Sequence, residues 1–208
     1  MIRTAAIVLG LAITTCALAD STLQVNRPSG ELSTEDGLIA WQRIFAVLSH
    51  PRCSNCHTDE HNIPMWSGPS YGRTRPHGMN IHAGPSRMGV ETLMCSTCHI
   101  TSRTPNTLPH AAPHAGHPWM LAPAAFAWHG KDSASVCTQL RDPQRNGGRD
   151  GQALVEHIIH DAEAHAFITW GFAPGGGREP APGSMQAHLD DMLLWTSVGM
   201  PCPEGAQP

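Results

Sequence analysis

The sequence predicts a mainly α-helical protein with long irregular loops, and three observations support this fold class. Apolar residues recur every three or four positions in the segment that starts near residue 33 and in the C-terminal third. No segment alternates apolar and polar residues over a length that favours a β-strand. The 208 residues include 20 glycines and 18 prolines, a share that favours long loops.

The first helix is predicted to begin at a cap formed by Ser33 or Thr34. It ends at His50, because Pro51 disfavours helical geometry in the residue before it. Three more amphipathic helices are predicted in the C-terminal third: one capped by Asp132 or Ser133, and two spanning residues 152–168 and 184–197.

Residues 58–92 and 100–130 show little periodicity and are rich in Gly, Pro and His. Segments of this length without regular structure are unusual in a compact domain unless they wrap around a ligand. We therefore expect these two segments to enclose a bound group.

The composition excludes some functions and favours one kind of chemistry. Lys and Arg total 13 against 17 Asp and Glu, so the chain has no basic excess for binding nucleic acid. A hydrophobic share of 40% excludes a wholly disordered chain. Fourteen histidines and seven cysteines, beside one tyrosine and one lysine (Lys131), favour metal or cofactor ligation.

Residues 1–19 are predicted to be a cleaved signal peptide, with a positive Arg3, an apolar run and a small-x-small site ending at Ala19. The alternatives are an uncleaved anchor and, less favourably, a lipoprotein attached through Cys16. We expect residues 20–208 to form one exported, periplasmic domain, with no stable membrane insertion after cleavage.

Two C-x-x-C-H motifs occur, at residues 53–57 and 95–99. This spacing is the attachment signature of c-type haem, in which two thiols bind the porphyrin and the adjacent histidine binds its iron. The alternatives are a zinc site with four thiolates and a thioredoxin-like dithiol. The sequence predicts two covalent haems, held by Cys53, Cys56, Cys95 and Cys98 and ligated by His57 and His99.

Cys137 and Cys202 are the remaining thiols of the exported chain. In an oxidising compartment the two are predicted to form a disulfide. The alternative is that one of them ligates iron.

The ligands on the far side of each iron are less well defined by the sequence. Candidates lie in the irregular segments, where side chains can reach over a haem face: His77, Met79, His82, His110, His114, His117 and Met120. Three further histidines, His157, His160 and His165, are interpreted as a solvated helix face, although ligation stays open. A copper or zinc site at His110, His114 and His117 is a further alternative. Arginines flanking the motifs are candidate partners for haem propionates: Arg52, Arg73, Arg75, Arg87 and Arg103.

The motifs and their surroundings resemble a family of small exported dihaem cytochrome c proteins of proteobacteria, often called isoquinoline 1-oxidoreductase subunits. The likeness covers most of the chain from about Trp41 to Cys202. It rests on both haem motifs and on His50-Pro51-Arg52, His77-x-Met79-Asn80, Leu121-Ala122-Pro123, Arg141-Asp142-Pro143 with Arg145-Asn146-Gly147-Gly148-Arg149, Trp170-Gly171-Phe172-x-Pro174 and Arg178-Glu179-Pro180.

The resemblance implies a dihaem cytochrome c-like domain organised around its haems, with His77 as the first distal candidate. It also implies an electron-transfer partner of an exported dehydrogenase, such as a molybdenum hydroxylase. The family pattern has Pro-His-Trp where this chain has His117-Pro118-Trp119, so His114 and Met120 stay open as ligands.

The predicted function is a periplasmic carrier of single electrons, with a dehydrogenase as donor and a cytochrome or oxidase as acceptor. Both irons are then expected to have six ligands. The alternative is a dihaem enzyme or ligand sensor, peroxidase-like, with one open iron.

Overall fold

The structure, a computed structural model, describes residues 22–68, 73–90 and 93–205. Helices dominate this part of the chain, which confirms the predicted fold class at the level of a mainly helical protein. The predicted signal peptide, residues 1–19, lies outside the described residues. The helices are α1 (Thr34–Leu48), α2 (Pro51–Ser54), α3 (Ser133–Arg141), α4 (Gly151–Ala164), α5 (Phe167–Phe172) and α6 (Met185–Ser197).

The hydrophobic core lies between α1, α3, α4 and α6. Helix α1 begins as predicted at Ser33, which exchanges hydrogen bonds with Asp36 in a capping box. Its fully buried Trp41 packs against Trp195 of α6, with ring centroids 5.0 Å apart. The Trp41 indole nitrogen donates to Ser133 Oγ at 2.8 Å, which ties α1 to the start of α3. This core forms without any residue of the two C-x-x-C-H motifs.

The predicted Cys137–Cys202 disulfide is confirmed and closes a separation of 65 residues. It attaches the chain that follows α6 to the buried face of α3. The same tail packs closely on α1, where a Cβ added to Gly37 would lie 2.3 Å from Val198 Cγ2 and 2.6 Å from Pro201 Cγ. A side chain at this position would push the tail away from α1.

The helix predicted over residues 152–168 is shorter than expected, which corrects that prediction. It ends at Ala164, because His165 adopts a left-handed conformation with φ of 53°. The reason is the buried Asp161, whose carboxylate accepts the N–H groups of Ile168 at 2.9 Å and Thr169 at 2.8 Å. These bonds cap the start of α5 and set it at a new direction.

The region between α2 and α3 contains two short antiparallel strand pairs that the sequence analysis did not predict. They are β1 (Met65–Trp66) with β2 (Arg75–Pro76), and β3 (Gly89–Val90) with β4 (Leu93–Met94). Each strand has two residues, too few for an alternating pattern to be seen. Within the described residues, no helix has both the length and the apolar character needed to cross a bilayer.

Candidate haem-attachment sites

The first C-x-x-C-H motif starts on the short helix α2. Its cap is His50, whose Nδ1 accepts the N–H of Arg52 at 3.3 Å, and Pro51 occupies the first helical position. The backbone N–H of Cys56 donates to the carbonyl of Cys53 at 3.2 Å. This turn brings residues three apart onto one side, as two thioether bonds to one porphyrin require. Both thiols are free and half-buried.

The ring of His57 is held in a fixed orientation by residues 126–129. Its Nδ1 lies 2.9 Å from the carbonyl oxygen of Phe126, and because a carbonyl can only accept, Nδ1 carries the proton. The Nε2 atom therefore keeps its lone pair, which is the form that ligates a metal. Trp128 stacks on the imidazole with centroids 3.3 Å apart and planes 4° from parallel. Its indole nitrogen donates to Gln139 on α3, which connects the ring to the helical core.

The second motif forms a 3-10 turn, Cys95–Thr97, directly after β4. The N–H of Cys95 donates to the carbonyl of Met88 at 2.9 Å, and those of Cys98 and His99 both donate to the carbonyl of Cys95. Cys95 is half-buried and Cys98 is exposed, and both thiols are free. This motif is more open to solvent than the first.

The ring of His99 repeats the arrangement of His57. Its Nδ1 lies 3.2 Å from the carbonyl oxygen of Pro113, so Nε2 again keeps its lone pair. The ring of Trp119 lies beside it, with centroids 4.4 Å apart. His57 and His99 are thus oriented in the same way, because each ring donates its Nδ1–H to a backbone carbonyl. The two carbonyls belong to different parts of the chain.

His77 lies opposite His99, with ring centroids 6.2 Å apart and planes tilted by 58°. Its Nδ1 is 2.9 Å from the carbonyl oxygen of Gly78, which leaves its Nε2 as the available ligand atom. With metal–imidazole bonds of about 2 Å, two histidines on one metal have ring centroids about 6 Å apart. The centroid separation is one that two imidazoles bound to the same metal could have.

The pKa values describe neutral groups at both motifs. Burial lowers the pKa of His57 to about 3 and that of His99 to about 4, against the opposing effect of their hydrogen bonds to carbonyls. Burial raises the pKa of Cys53 to about 12, and burial together with the nearby Cys95 raises that of Cys56 to about 11. A thioredoxin-like dithiol has a lowered thiol pKa, so these thiols do not fit that alternative.

Two of the arginines predicted as propionate partners donate hydrogen bonds to oxygens of the surrounding loops. Arg52 is buried and donates to the carbonyls of Ser67 and Glu179, each at 2.7 Å. Arg87 is also buried and donates to carbonyl and amide oxygens of residues 58–62, the loop that follows the first motif. These guanidinium groups fix the loops around the motif and satisfy buried carbonyls.

The remaining distal candidates are spread over several positions. Met79 is 86% exposed and has a positive φ of 62°. His114 is half-buried and close enough to His99 to contribute to the lowering of its pKa. His117 is exposed, and Met120 is half-buried. Of the predicted candidates, His77 is the one that the structure places against a proximal histidine ring.

One helical histidine lies near the first motif, and another is buried in the helical part of the chain. His157 on α4 lies near enough to His57 to lower the pKa of that ring, although its own side chain is exposed. His188 on α6 is buried, its Nδ1 has no hydrogen-bond partner, and burial lowers its pKa to about 4. His188 precedes Met192 by four residues and Trp195 by seven, so the three side chains lie on the same face of the helix. This spacing of apolar residues was the signal in the sequence from which the burial of His188 could have been predicted.

Among the described ranges, no three His, Cys, Asp or Glu side chains cluster as a metal ion would require. The structure thus gives no support there to a zinc site with four thiolates or to a copper or zinc site at His110, His114 and His117. Comparison with family models, curated proteins and solved structures found no match to this chain.

Proposed function

We propose that this chain is an exported dihaem c-type cytochrome that carries single electrons. Its donor is an exported dehydrogenase, with a molybdenum hydroxylase as the leading candidate, and its acceptor is a cytochrome or oxidase. One observation supports the proposal most: each C-x-x-C-H histidine donates Nδ1–H to a backbone carbonyl and keeps Nε2 for a metal. A chance C-x-x-C-H sequence would not require this arrangement at both motifs.

The residues fit the cofactor by the chemistry of their donors. A c-type haem supplies an iron that gains and loses one electron. The two thiols of each motif would attach one haem by adding S–H across its two vinyl groups, so that no atom would leave. The carbonyls of Phe126 and Pro113 hold the two imidazoles in one tautomer and orientation, which also makes Nε2 a stronger base.

The two motifs differ in what lies near the proximal ring. At the second motif, His77 stands at the separation of an axial partner, which supports a six-coordinate carrier site. At the first motif, the rings of Phe126 and Trp128, which do not ligate iron, pack against His57, and His157 lies near enough to lower its pKa. This difference favours, as a second candidate, a dihaem enzyme or ligand sensor whose open iron is bound to His57.

Haem content of the exported protein tests the proposal. We expect two haems per chain by mass and by the pyridine haemochrome spectrum, and one haem in each of the paired variants C53A/C56A and C95A/C98A. The matched control is C137A/C202A, which removes two cysteines at the disulfide and keeps both haems. A chain that emerges from a haem-attaching host without haem would overturn the proposal.

Electron paramagnetic resonance of the oxidised protein separates the two candidate functions. Two low-spin signals support the electron carrier. One low-spin and one high-spin signal would identify an open iron and favour the enzyme or sensor.

A further inference from the structure

Two buried indole N–H groups lack a hydrogen-bond partner among the described residues: those of Trp119 and Trp170. Trp119 is 8% exposed, and the two rings meet edge to face with centroids 5.3 Å apart. Buried polar groups in proteins almost always have a partner, and an indole N–H can only donate. Two such donors in adjoining rings indicate that acceptors from outside the chain belong there.

The pair lies between the two C-x-x-C-H motifs. Trp119 is beside the ring of His99, at 4.4 Å. Trp170 lies under the guanidinium of Arg52, whose Cζ is 5.9 Å from the ring centroid, and Arg52 directly precedes Cys53. A group bound at the two tryptophans is therefore next to both motifs.

The surroundings favour an anionic acceptor of small size. A cavity of about 80 Å³ is lined by Trp170 with Ser102, Arg103 and His114 among others, and Trp119 adjoins it only through its contact with the Trp170 ring. This volume holds a few water molecules or one carboxylate group, and it is too small for a porphyrin ring. The acid on the neighbouring helix α4, Asp161, is committed to the N–H groups at the start of α5. The cations nearest the pair are Arg52 and Arg103, both of which also donate to backbone carbonyls, and the carboxylate of Glu179 lies near Arg52.

We propose that Trp119 and Trp170 donate their indole N–H groups to a carboxylate held between the two motifs. Hydrogen bonds from a neutral donor to a charged acceptor are stronger than those to water, and the nearby guanidinium groups add to this preference. The carboxylate has two possible sources: a haem propionate, which rests on the proposed function, or a small free carboxylate anion.

The test uses nitrogen-15 indole resonances of the reduced, haem-loaded protein. W119F and W170F assign the two signals. Trp41 and Trp195 serve as internal controls, because their indole nitrogens donate to the neutral acceptors Ser133 Oγ and the Pro201 carbonyl. We expect the Trp119 and Trp170 signals to titrate together with the pKa of one carboxylic acid, while the control signals stay constant.

Acetate distinguishes the two sources. If a propionate fills the site, a large excess of acetate leaves both signals unchanged, and W170F raises the pKa of the titrating group by about one unit, because a hydrogen bond to a charged group is lost. That shift also appears in the pH dependence of the midpoint potential. If the carboxylate is free, acetate shifts both signals saturably.

The same titration separates failure of this inference from failure of the proposed function. Haem-loaded protein whose two indole signals respond to neither pH nor acetate would leave water as their partner and overturn the carboxylate site alone. Protein that attaches no haem but shows a saturable acetate response at both indoles would overturn the cytochrome and retain the site.

Discussion

Removal of the His77 imidazole gives the sharpest test of the second site. The ring centroids of His77 and His99 are 6.2 Å apart, a distance that two imidazoles on one iron could have, and both rings keep Nε2 free of backbone bonds. We expect H77A to leave the haem of the second motif with one axial histidine. Because only one of the two irons loses a ligand, we expect half of the low-spin signal of the wild-type protein to be replaced by a high-spin signal.

The assay is low-temperature electron paramagnetic resonance on oxidised protein, with haem content checked by mass. The matched control is H82A, which removes an exposed histidine five residues along the same loop and leaves the spectrum unchanged. Added imidazole restores the lost low-spin signal in H77A, because it fills the open position. In H77M the iron keeps six ligands, and its potential rises, since a methionine ligand raises the potential above that of two histidines.

One result would refute the reasoning about His77. If H77A retains two haems and the complete low-spin spectrum, another side chain caps that iron. His114 would then become the first candidate, since it also lies near His99.

Three further predictions concern stability and electron exchange. Burial lowers the pKa of His188 from 6.5 to about 4, so its neutral form stabilises the fold above pH 6.5 and this stability is lost as the pH falls towards 4. Between pH 7 and pH 5 the free energy of unfolding, measured with urea, should fall by about 2 kcal/mol less in H188L than in the wild-type protein, and equal pH profiles would contradict this. Opening the 65-residue disulfide loop in C137A/C202A should lower the free energy of unfolding by about 4 kcal/mol, measured by urea titration; a loss below about 1 kcal/mol would refute the loop-entropy argument. Residues 61–131 contain five basic residues and one acid, so anionic redox reagents should oxidise the reduced protein faster than cationic ones of equal potential, and added salt should narrow the difference; a salt-independent ratio near one would count against this.

The sequence was most informative where the cause of the structure is local. The start of α1 follows from Ser33 and Asp36, three residues apart, and its end from Pro51. The end of α4 was predicted four residues too late, because the signal is the side chain of Asp161, which binds N–H groups seven and eight residues ahead. The spacing of apolar residues does not indicate that a side chain will bind these N–H groups.

The same distinction applies to the candidate site. The thiols and the proximal histidines could be proposed from the sequence because covalent haem attachment would fix their spacing within five residues. The carbonyl that orients His57 belongs to Phe126, 69 residues away, and the one that orients His99 belongs to Pro113, 14 residues away. Such partners depend on how the loops pack. His77 was predicted through the family resemblance, and only the structure supplies its distance from His99.

The distribution of apolar surface gives a physical reason for these long loops. The helices bury their apolar faces against one another in a core that includes no haem-motif residue. Of the seven exposed large hydrophobic side chains in the described residues, five lie in the loops and short strands of the region around the second motif: Met79, Val90, Met94, Ile100 and Leu108. Exposed apolar side chains concentrated in one region mark a surface that binds something apolar, and a porphyrin attached at Cys95 and Cys98 would have that character. Under the proposed function, a haem would supply the apolar partner that these loops do not find in the polypeptide, whereas the helices already pack against one another.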